Sequence, residues 1–445
     1  MTEQVGRPAE VPFREALKFW LKLGFISFGG PAGQIAIMHT ELVERRRWIS
    51  EKRFLHALNF CMVLPGPEAQ QLATYIGWLM HRTWGGIVAG ALFVLPSLVL
   101  LIFLSWIYVA FGEVPVVAGI FYGIKPAVTA LVLHAAHRIG TRALKNYWLW
   151  SIAALAFLAI FVFDVPFPAI VLAAAVIGFA GGWRWPRVFA VGGAHGAGSE
   201  GYGPALIDDD TPAPAHAVFT RKRFVAVIGA GLALWIVPMT LLAFTQGAQG
   251  TLTQMGEFFT KAALLTFGGA YAVLPYVYQG AVENFHWLTG TQMIDGLALG
   301  ETTPGPLIMV VAFVGFVGGW THSIFGTEHM FWSGAVAASV VTFFTFLPSF
   351  VFILAGGPLV ESTHNNLKFT APLTAITAAV VGVILNLAVF FSYHVFWPQG
   401  VGGRFDFAAA AIAAGALLAL FRFKLGVIPL LAICALLGLL LRLAA

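Results

Sequence analysis

An all-α, polytopic membrane fold built from two homologous repeats of inverted topology is what this sequence predicts. Three observations carry that expectation: a charge-poor apolar composition, a series of apolar runs about as long as a bilayer is thick, and an internal repeat. Of 445 residues, 59% are hydrophobic and 10% charged, whereas soluble domains carry about 25% charged residues. A chain so composed cannot cover a water-facing surface, and a mean hydropathy of +0.84 excludes a soluble globular enzyme and a disordered or fibrous chain alike. Cys61 and Cys434 lie inside apolar segments without Cys-x-x-Cys spacing, so neither a disulfide framework nor a thiolate zinc site is expected. The first fifteen residues have no continuous apolar core; no cleavable secretory signal is expected there, and the N-terminus is assigned to the cytoplasm. The net charge of +5 sits between apolar runs, as orientation signals do, so the bilayer and not nucleic acid is the expected partner.

Apolar runs that can serve as bilayer elements occupy 16–38, 54–80, 84–110, 116–137, 147–163 and 166–183 in the first half. The second half has 224–244, 253–278, 293–320, 330–355, 370–395, 405–421 and 425–443. Between them, residues 184–223 turn rich in Gly, Ala and Pro, with Asp208, Asp209 and Asp210 followed by Arg221, Lys222 and Arg223. That composition predicts a flexible, water-exposed cytoplasmic linker. The expected organisation is therefore a membrane repeat over 1–183, the linker, an extra helix at 224–244, and a second membrane repeat over 245–445.

The repeat is legible at one ungapped offset of 239, which pairs Phe19 with Phe258, Lys22 with Lys261 and Phe28-Gly29-Gly30 with Phe267-Gly268-Gly269. The same offset pairs Glu44 with Glu283, Trp48 with Trp287, and Pro65-Gly66-Pro67 with Pro304-Gly305-Pro306. Farther on, Leu95-Pro96-Ser97 matches Leu347-Pro348-Ser349 at 252, so the second copy has gained thirteen residues. Run 224–244 has no counterpart. If each copy returns the chain to its starting side, that single extra crossing turns the second copy upside down. Charge agrees: of 25 Lys and Arg, only Lys261, Lys368, Arg404, Arg422, Lys424 and Arg442 follow Arg223. One loop resists simple counting. Arg45, Arg46, Arg47, Lys52 and Arg53 fall outside if runs 16–38 and 54–80 each cross once, against the positive-inside rule. Re-entrant hairpins, turning back at Gly29-Gly30-Pro31 and Pro65-Gly66-Pro67, return the loop to the cytoplasm; single crossings with one exceptional loop remain the alternative.

These interruptions are also the candidate site. Proline and glycine there cut the helix ladder, and freed backbone groups at membrane depth are tolerated only when buried in protein or lining a wet cavity. Interrupted helices at matching places in two repeats point to a transport site, and half-helix N-termini favour an anion. Candidate binding residues are Phe28, Gly29, Gly30, Pro65, Gly66, Pro67, Phe267, Gly268, Gly269, Thr303, Pro304, Gly305 and Pro306. Lys22 and Lys261, each six residues before an F-G-G, are expected to bracket a tetrahedral oxyanion, because a lysine inside an apolar run is costly and by default functional; snorkelling is the bland reading. Glu68, Lys125, Asp295 and Glu301 are candidates for coupling or counter-charge. The histidines show no metal-ligand spacing, so no metal or cofactor is expected. The absence of a P-loop or kinase signature leaves an ion gradient, exchange or passive flow as the energy source.

The strings F-G-G-P-A-G-Q-I-A-I-M-H-T-E-L-V-E-R-R-R-W-I-S from Phe28, L-P-G-P-E-A-Q-Q-L-A-T-Y-I-G from Leu64, T-K-A-A-L-L-T-F-G-G-A-Y-A-V-L-P-Y-V from Thr260 and E-T-T-P-G-P-L-I-M-V from Glu301 strongly resemble the chromate ion transporter family in its long two-domain form. The resemblance runs from about Ala16 to Ala445, apart from the linker and residues 223–244. It implies a multi-pass inner-membrane protein, not an enzyme, that expels chromate, with sulfate as a related anion, proton-gradient coupling and halves of opposite orientation. An uncoupled oxyanion channel or permease is the alternative, and a homodimer stays open. The residues by themselves specify an oxyanion at most.

Overall fold

Glycine and proline inside apolar runs decide where the helices of this chain stop. The computed structural model describes residues 8–28, 30–189, 202–212, 214–267, 269–362, 370–400 and 402–444. Among these it is all-helical, with one isolated bridge, Ile49 to Ile207, as its strand-type pairing. The first run makes two helices, α1 (Phe13–Ile26) and α2 (Gly30–His39), with a π-helical turn over Thr40–Arg45. The second makes α3 (Glu51–Val63), capped where Ser50 Oγ accepts from the Arg53 N–H at 3.2 Å. Pro65 and Pro67 then end it, and α4 (Glu68–Phe111) follows. Inside α4, His81 (φ −134°) and Arg82 (φ 55°) leave helical geometry. Gly77 lies against Gly85 and Ala89, and Gly90 against Thr74, so the leg ending at Met80 packs antiparallel to the leg that follows.

The first half continues through α5 (Pro115–Ala143), α6 (Tyr147–Phe163), α7 (Phe167–Arg184) and a short α8 (Pro186–Phe189). After the linker comes α9 (Arg221–Gln246), then α10 (Thr251–Leu264), α11 (Ala270–Tyr278), a π-helical turn over Gln279–Asn284, α12 (Gly290–Thr302), α13 (Val310–Thr321), α14 (Met330–Ser362), α15 (Thr370–Phe396), α16 (Phe407–Arg422) and α17 (Val427–Ala444). Seven helices among the described residues are long and apolar enough to cross a bilayer. Helix α9, which has no repeat counterpart, buries only Gly231; its apolar surround suits lipid.

Local geometry recurs at the offset of 239. The π-helical turns begin at Thr40 and Gln279, and Arg47 and His286 after them share a φ of 51°. Trp48 N–H donates to Leu42 O at 2.8 Å and Trp287 N–H to Ala281 O at 2.7 Å. Ser50 and Thr289 cap the next helices.

Contacts define two ends of the molecule. At the first, a His81 ring nitrogen hydrogen-bonds Val11 O at 2.8 Å, Arg53 Nη1 meets Glu361 Oε2 at 2.6 Å, and Tyr75 OH donates to the other Glu361 oxygen at 2.5 Å. The start of α1, the start of α3 and the far end of the first α4 leg thus share one end, and both interrupted elements of the first half turn back at their breaks. At the opposite end Met255, from the start of α10, and Trp287 both pack on Gly318, near the end of α13. Between the ends the halves interleave: α5 packs on α16 and α17, and α15 on α6 and α7.

The linker differs from its expectation. Its composition predicts a flexible segment, yet Leu206 and Ile207 N–H donate to Arg47 O and Trp48 O at 2.9 and 3.1 Å, and Ser50 N–H to Ile207 O at 2.9 Å. Arg53 also donates to Asp208 O and Thr211 O. The reason is the demand of loop 47–53: its Arg47 and Trp48 carbonyls need donors, while its Ser50 N–H and the five-donor Arg53 guanidinium need acceptors, and the linker supplies both. Residues 190–201, which hold most of the Gly-rich stretch, lie outside the described residues.

Glu361→Ala leaves the Arg53 guanidinium without its carboxylate at a nearly buried seam and is expected to cost about 3 kcal/mol. The readout is a lower unfolding temperature in detergent, with Arg53→Ala/Glu361→Ala recovering part of the loss; no recovery means the pair does not hold the seam.

Candidate functional site

The four interruptions meet. Gly66 N–H, from the first Pro-Gly-Pro, donates to Thr266 O beside the second F-G-G at 2.8 Å; Gly305 N–H, from the second, donates to Ser27 O beside the first at 2.8 Å. These bonds are equivalent under the repeat, and each joins one copy to the other. The two F-G-G turns also adjoin, with Pro31 beside Gly269. Backbone groups cut from the helix ladders thereby find partners inside the protein, as a low-dielectric setting requires.

Side chains close the same ring. A Cβ on Gly66 would lie 2.3 Å from Ser349 Oγ and 2.6 Å from Gln71 Nε2; one on Gly305 would lie 2.8 Å from Ser97 Cβ. Each Leu-Pro-Ser motif therefore braces the Pro-Gly-Pro of the other copy. Gln34 Nε2 reaches across to Gly305 O as well as to Ser27 O, and Gln71 Nε2 holds Pro65 O at 2.8 Å and Ser349 Oγ at 3.4 Å. Ser27, Gln34, Gln71 and Ser97 are buried, and Ser27 Oγ, Gln34 Oε1, Gln71 Oε1 and Ser97 Oγ have no hydrogen-bond partner among the described residues. Most buried polar atoms are paired; these four, unpartnered, lie around the crossed breaks.

Of the expected site residues, Gly66, Pro67, Thr303, Pro304, Gly305 and Pro306 are buried at this junction, and Phe28, Gly30, Pro65 and Phe267 are half-buried beside it. Gly269 is buried; Gly29 and Gly268 lie outside the described residues. Lys22 and Lys261 are not brought there. Both are exposed, and Lys261 Nζ pairs with Glu257 one helical turn away at 2.6 Å, which spares the ammonium the cost of facing inward.

The acidic candidates divide. Glu68 opens α4 beside Pro67, partly buried and without an ion-pair partner among the described residues. Glu301, buried, accepts a short hydrogen bond from Tyr271 OH. Lys125 and Asp295, far apart in sequence, form an ion pair at 3.3 Å, with Tyr108 OH on the same Asp295 oxygen at 2.8 Å. They line a cavity of about 800 Å³ at the end opposite the linker, along with Glu113, Tyr122, Asp406 and Arg442. Ser27, Gln34, Ser97 and Ser349 escaped sequence reasoning; the paired Leu-Pro-Ser strings were the available signal for the last two, and for the first two there was none beyond adjacency to a break.

A many-helix membrane chain with broken helices meeting at a buried polar junction belongs to the class of membrane transporters. The sequence pattern described as Chromate transporter matches residues 14–179 and 253–439, and the chain belongs to that family. It is 35% identical to a chromate transport protein of Pseudomonas aeruginosa over 386 residues, covering 86% of this chain and 81% of that one. A chromate transport protein of Cupriavidus metallidurans is 28% identical over 84% of this chain and 82% of its own. An uncharacterized transporter of Bacillus subtilis is 28% identical where 34% of this chain answers to 76% of that one, so a chain less than half as long carries one stretch of the pattern. No solved structure matches.

Gly66 and Gly305 have φ of 125° and 107°, a region that costs other residues about 1–3 kcal/mol. Gly305→Ala is expected to lower the unfolding temperature and abolish transport, and Ser97→Gly added to it to restore stability only in part, because the clash goes and the backbone strain stays; full recovery would assign the whole effect to side-chain contact.

Proposed function

We propose that this protein moves chromate out of the cytoplasm by alternating access, with the crossed breaks as the substrate site. The observation that carries the reading is the reciprocal pair Gly66 N–H to Thr266 O and Gly305 N–H to Ser27 O, which centres the polar backbone of both copies on one buried point. Family membership supplies the substrate class; sulfate, similar in size and shape, is the related anion.

Orientation follows from charge. The end bearing Arg45, Arg46, Arg47, Lys52, Arg53 and the linker is assigned to the cytoplasm of the inner membrane, as is the N-terminus, since His81 ties Val11 to that end. A cationic cytoplasmic face concentrates anions there, while a mouth with Glu113, Asp295 and Asp406 against Lys125 and Arg442 repels them, which favours export. Two clusters of tyrosine, carboxylate and cation join the copies across the site: Tyr75, Glu361 and Arg53 on the cytoplasmic side, Tyr108, Asp295 and Lys125 on the other. Alternating access opens one while the other holds. Glu68 and Glu301, flanking the two Pro-Gly-Pro turns, carry the coupling proton in this reading. An uncoupled channel uses the same junction without uphill movement.

In everted vesicles, chromate is expected to accumulate above the bath concentration and to leak back when a protonophore is added; flow that stops at equal concentrations favours the channel. Lys261→Ala is expected to keep transport within about twofold, since an exposed pair contributes little. Loss of transport there would return that lysine to the site.

A further inference from the structure

We infer that the junction takes its oxyanion in the singly charged, hydroxyl-bearing form. The inference rests on the transport reading and deepens it. Four of the atoms left without partners among the described residues lie at the Gly66 and Gly305 crossings, and they are of two kinds: hydroxyls, Ser27 Oγ and Ser97 Oγ, and amide oxygens, Gln34 Oε1 and Gln71 Oε1, with Gln70 Oε1 a further amide oxygen on the next residue. All four side chains are buried, none more than 1% exposed. They also share a level. Ser97 touches Gly305, whose N–H is bonded to Ser27 O and whose carbonyl is held by Gln34. On the antiparallel α4 legs, Gly77 faces Gly85 and Gly90 faces Gln70 and Thr74, a register that brings Ser97 level with Gly66 and Gln71.

The amide orientations are set by their surroundings. Gln34 Nε2 faces the carbonyls of Ser27 and Gly305, and Gln71 Nε2 faces that of Pro65; reversing either amide would set oxygen against oxygen. Their Oε1 atoms are therefore acceptors in want of a donor. A tetrahedral dianion has four oxygens and no hydrogen, so it can accept from the two serines but only repels the two amide oxygens. The monoanion of the same acid brings one O–H, which donates to a glutamine oxygen while its other oxygens accept from Ser27 and Ser97.

Charge points the same way. Glu68 stands on α4 beside Pro67, and Glu301 on α12 before Pro304, held by Tyr271 on α11. Among the described residues neither carboxyl group has an ion-pair partner, Lys125 is bound to Asp295, and Lys22 and Lys261 are exposed. With two carboxyl groups beside the junction and no paired cation there, each negative charge on the guest is costly, and the cost of drying an ion rises steeply with its charge. The site thus suits an oxyanion of a weak acid that keeps a proton near neutrality and disfavours those of strong acids.

The test is equilibrium dialysis of the purified full chain with radiolabelled chromate and, separately, selenate, a tetrahedral anion that stays doubly charged across about pH 6 to 8. Chromate affinity is expected to fall by about tenfold per pH unit more steeply than selenate affinity once its own proton is lost, while selenate, whose slope comes from Glu68 and Glu301 alone, binds at least about tenfold more weakly than chromate at pH 6. Selenate affinity that changes with pH in parallel would assign the titration to a protein group and overturn the inference, as would chromate affinity that is flat or rises with pH. No chromate binding at any pH would overturn the transport reading itself.

Discussion

A backbone N–H or C=O released from a helix in a bilayer interior has no water to turn to, and everything else here follows from how that constraint is met. Each copy of the repeat breaks two of its helices and satisfies the freed groups with those of the other copy: Gly66 with Thr266, Gly305 with Ser27. Neither copy could close its own breaks by these bonds. The junction exists only where the two copies of the repeated sequence face one another.

That mutual dependence also organises the ends. The copies are joined by a Tyr75, Glu361 and Arg53 cluster on one side and by Tyr108, Asp295 and Lys125 on the other. Each sets a carboxylate of the second copy between a tyrosine and a cation of the first. The linker takes part in one of them, because Arg53 has more donors than Glu361 can use and donates to the carbonyls of Asp208 and Thr211 as well. What composition marks as a loose connection is, over its described residues, a strap across the seam between copies.

Family membership and geometry answer different questions. Matches over residues 14–179 and 253–439 give the lineage and the class of substrate, but they say nothing about which atoms a guest would touch. In the reading proposed above the junction supplies those atoms, and they are neutral ones, hydroxyls and amides, where an anion site is commonly expected to hold a lysine or arginine.

The helix-rich membrane class was legible in the order of residues, as were the constant offset and the Gly and Pro interruptions on which the expectation of a repeat rests. They depend on local rules: apolar length, the missing N–H of proline, and a match at a constant offset. Lys22 and Lys261 misled because sequence shows that a lysine lies in an apolar run but not which way it faces, and one helical turn of separation let Glu257 claim Lys261 at the surface. The meeting of Lys125 with Asp295, the bracing of each Pro-Gly-Pro by the other copy's serine, and the docking of the linker on 47–53 were decided only by tertiary structure. Each joins segments distant along the chain, and such contacts are set by the packing of whole helices, which no local pattern encodes.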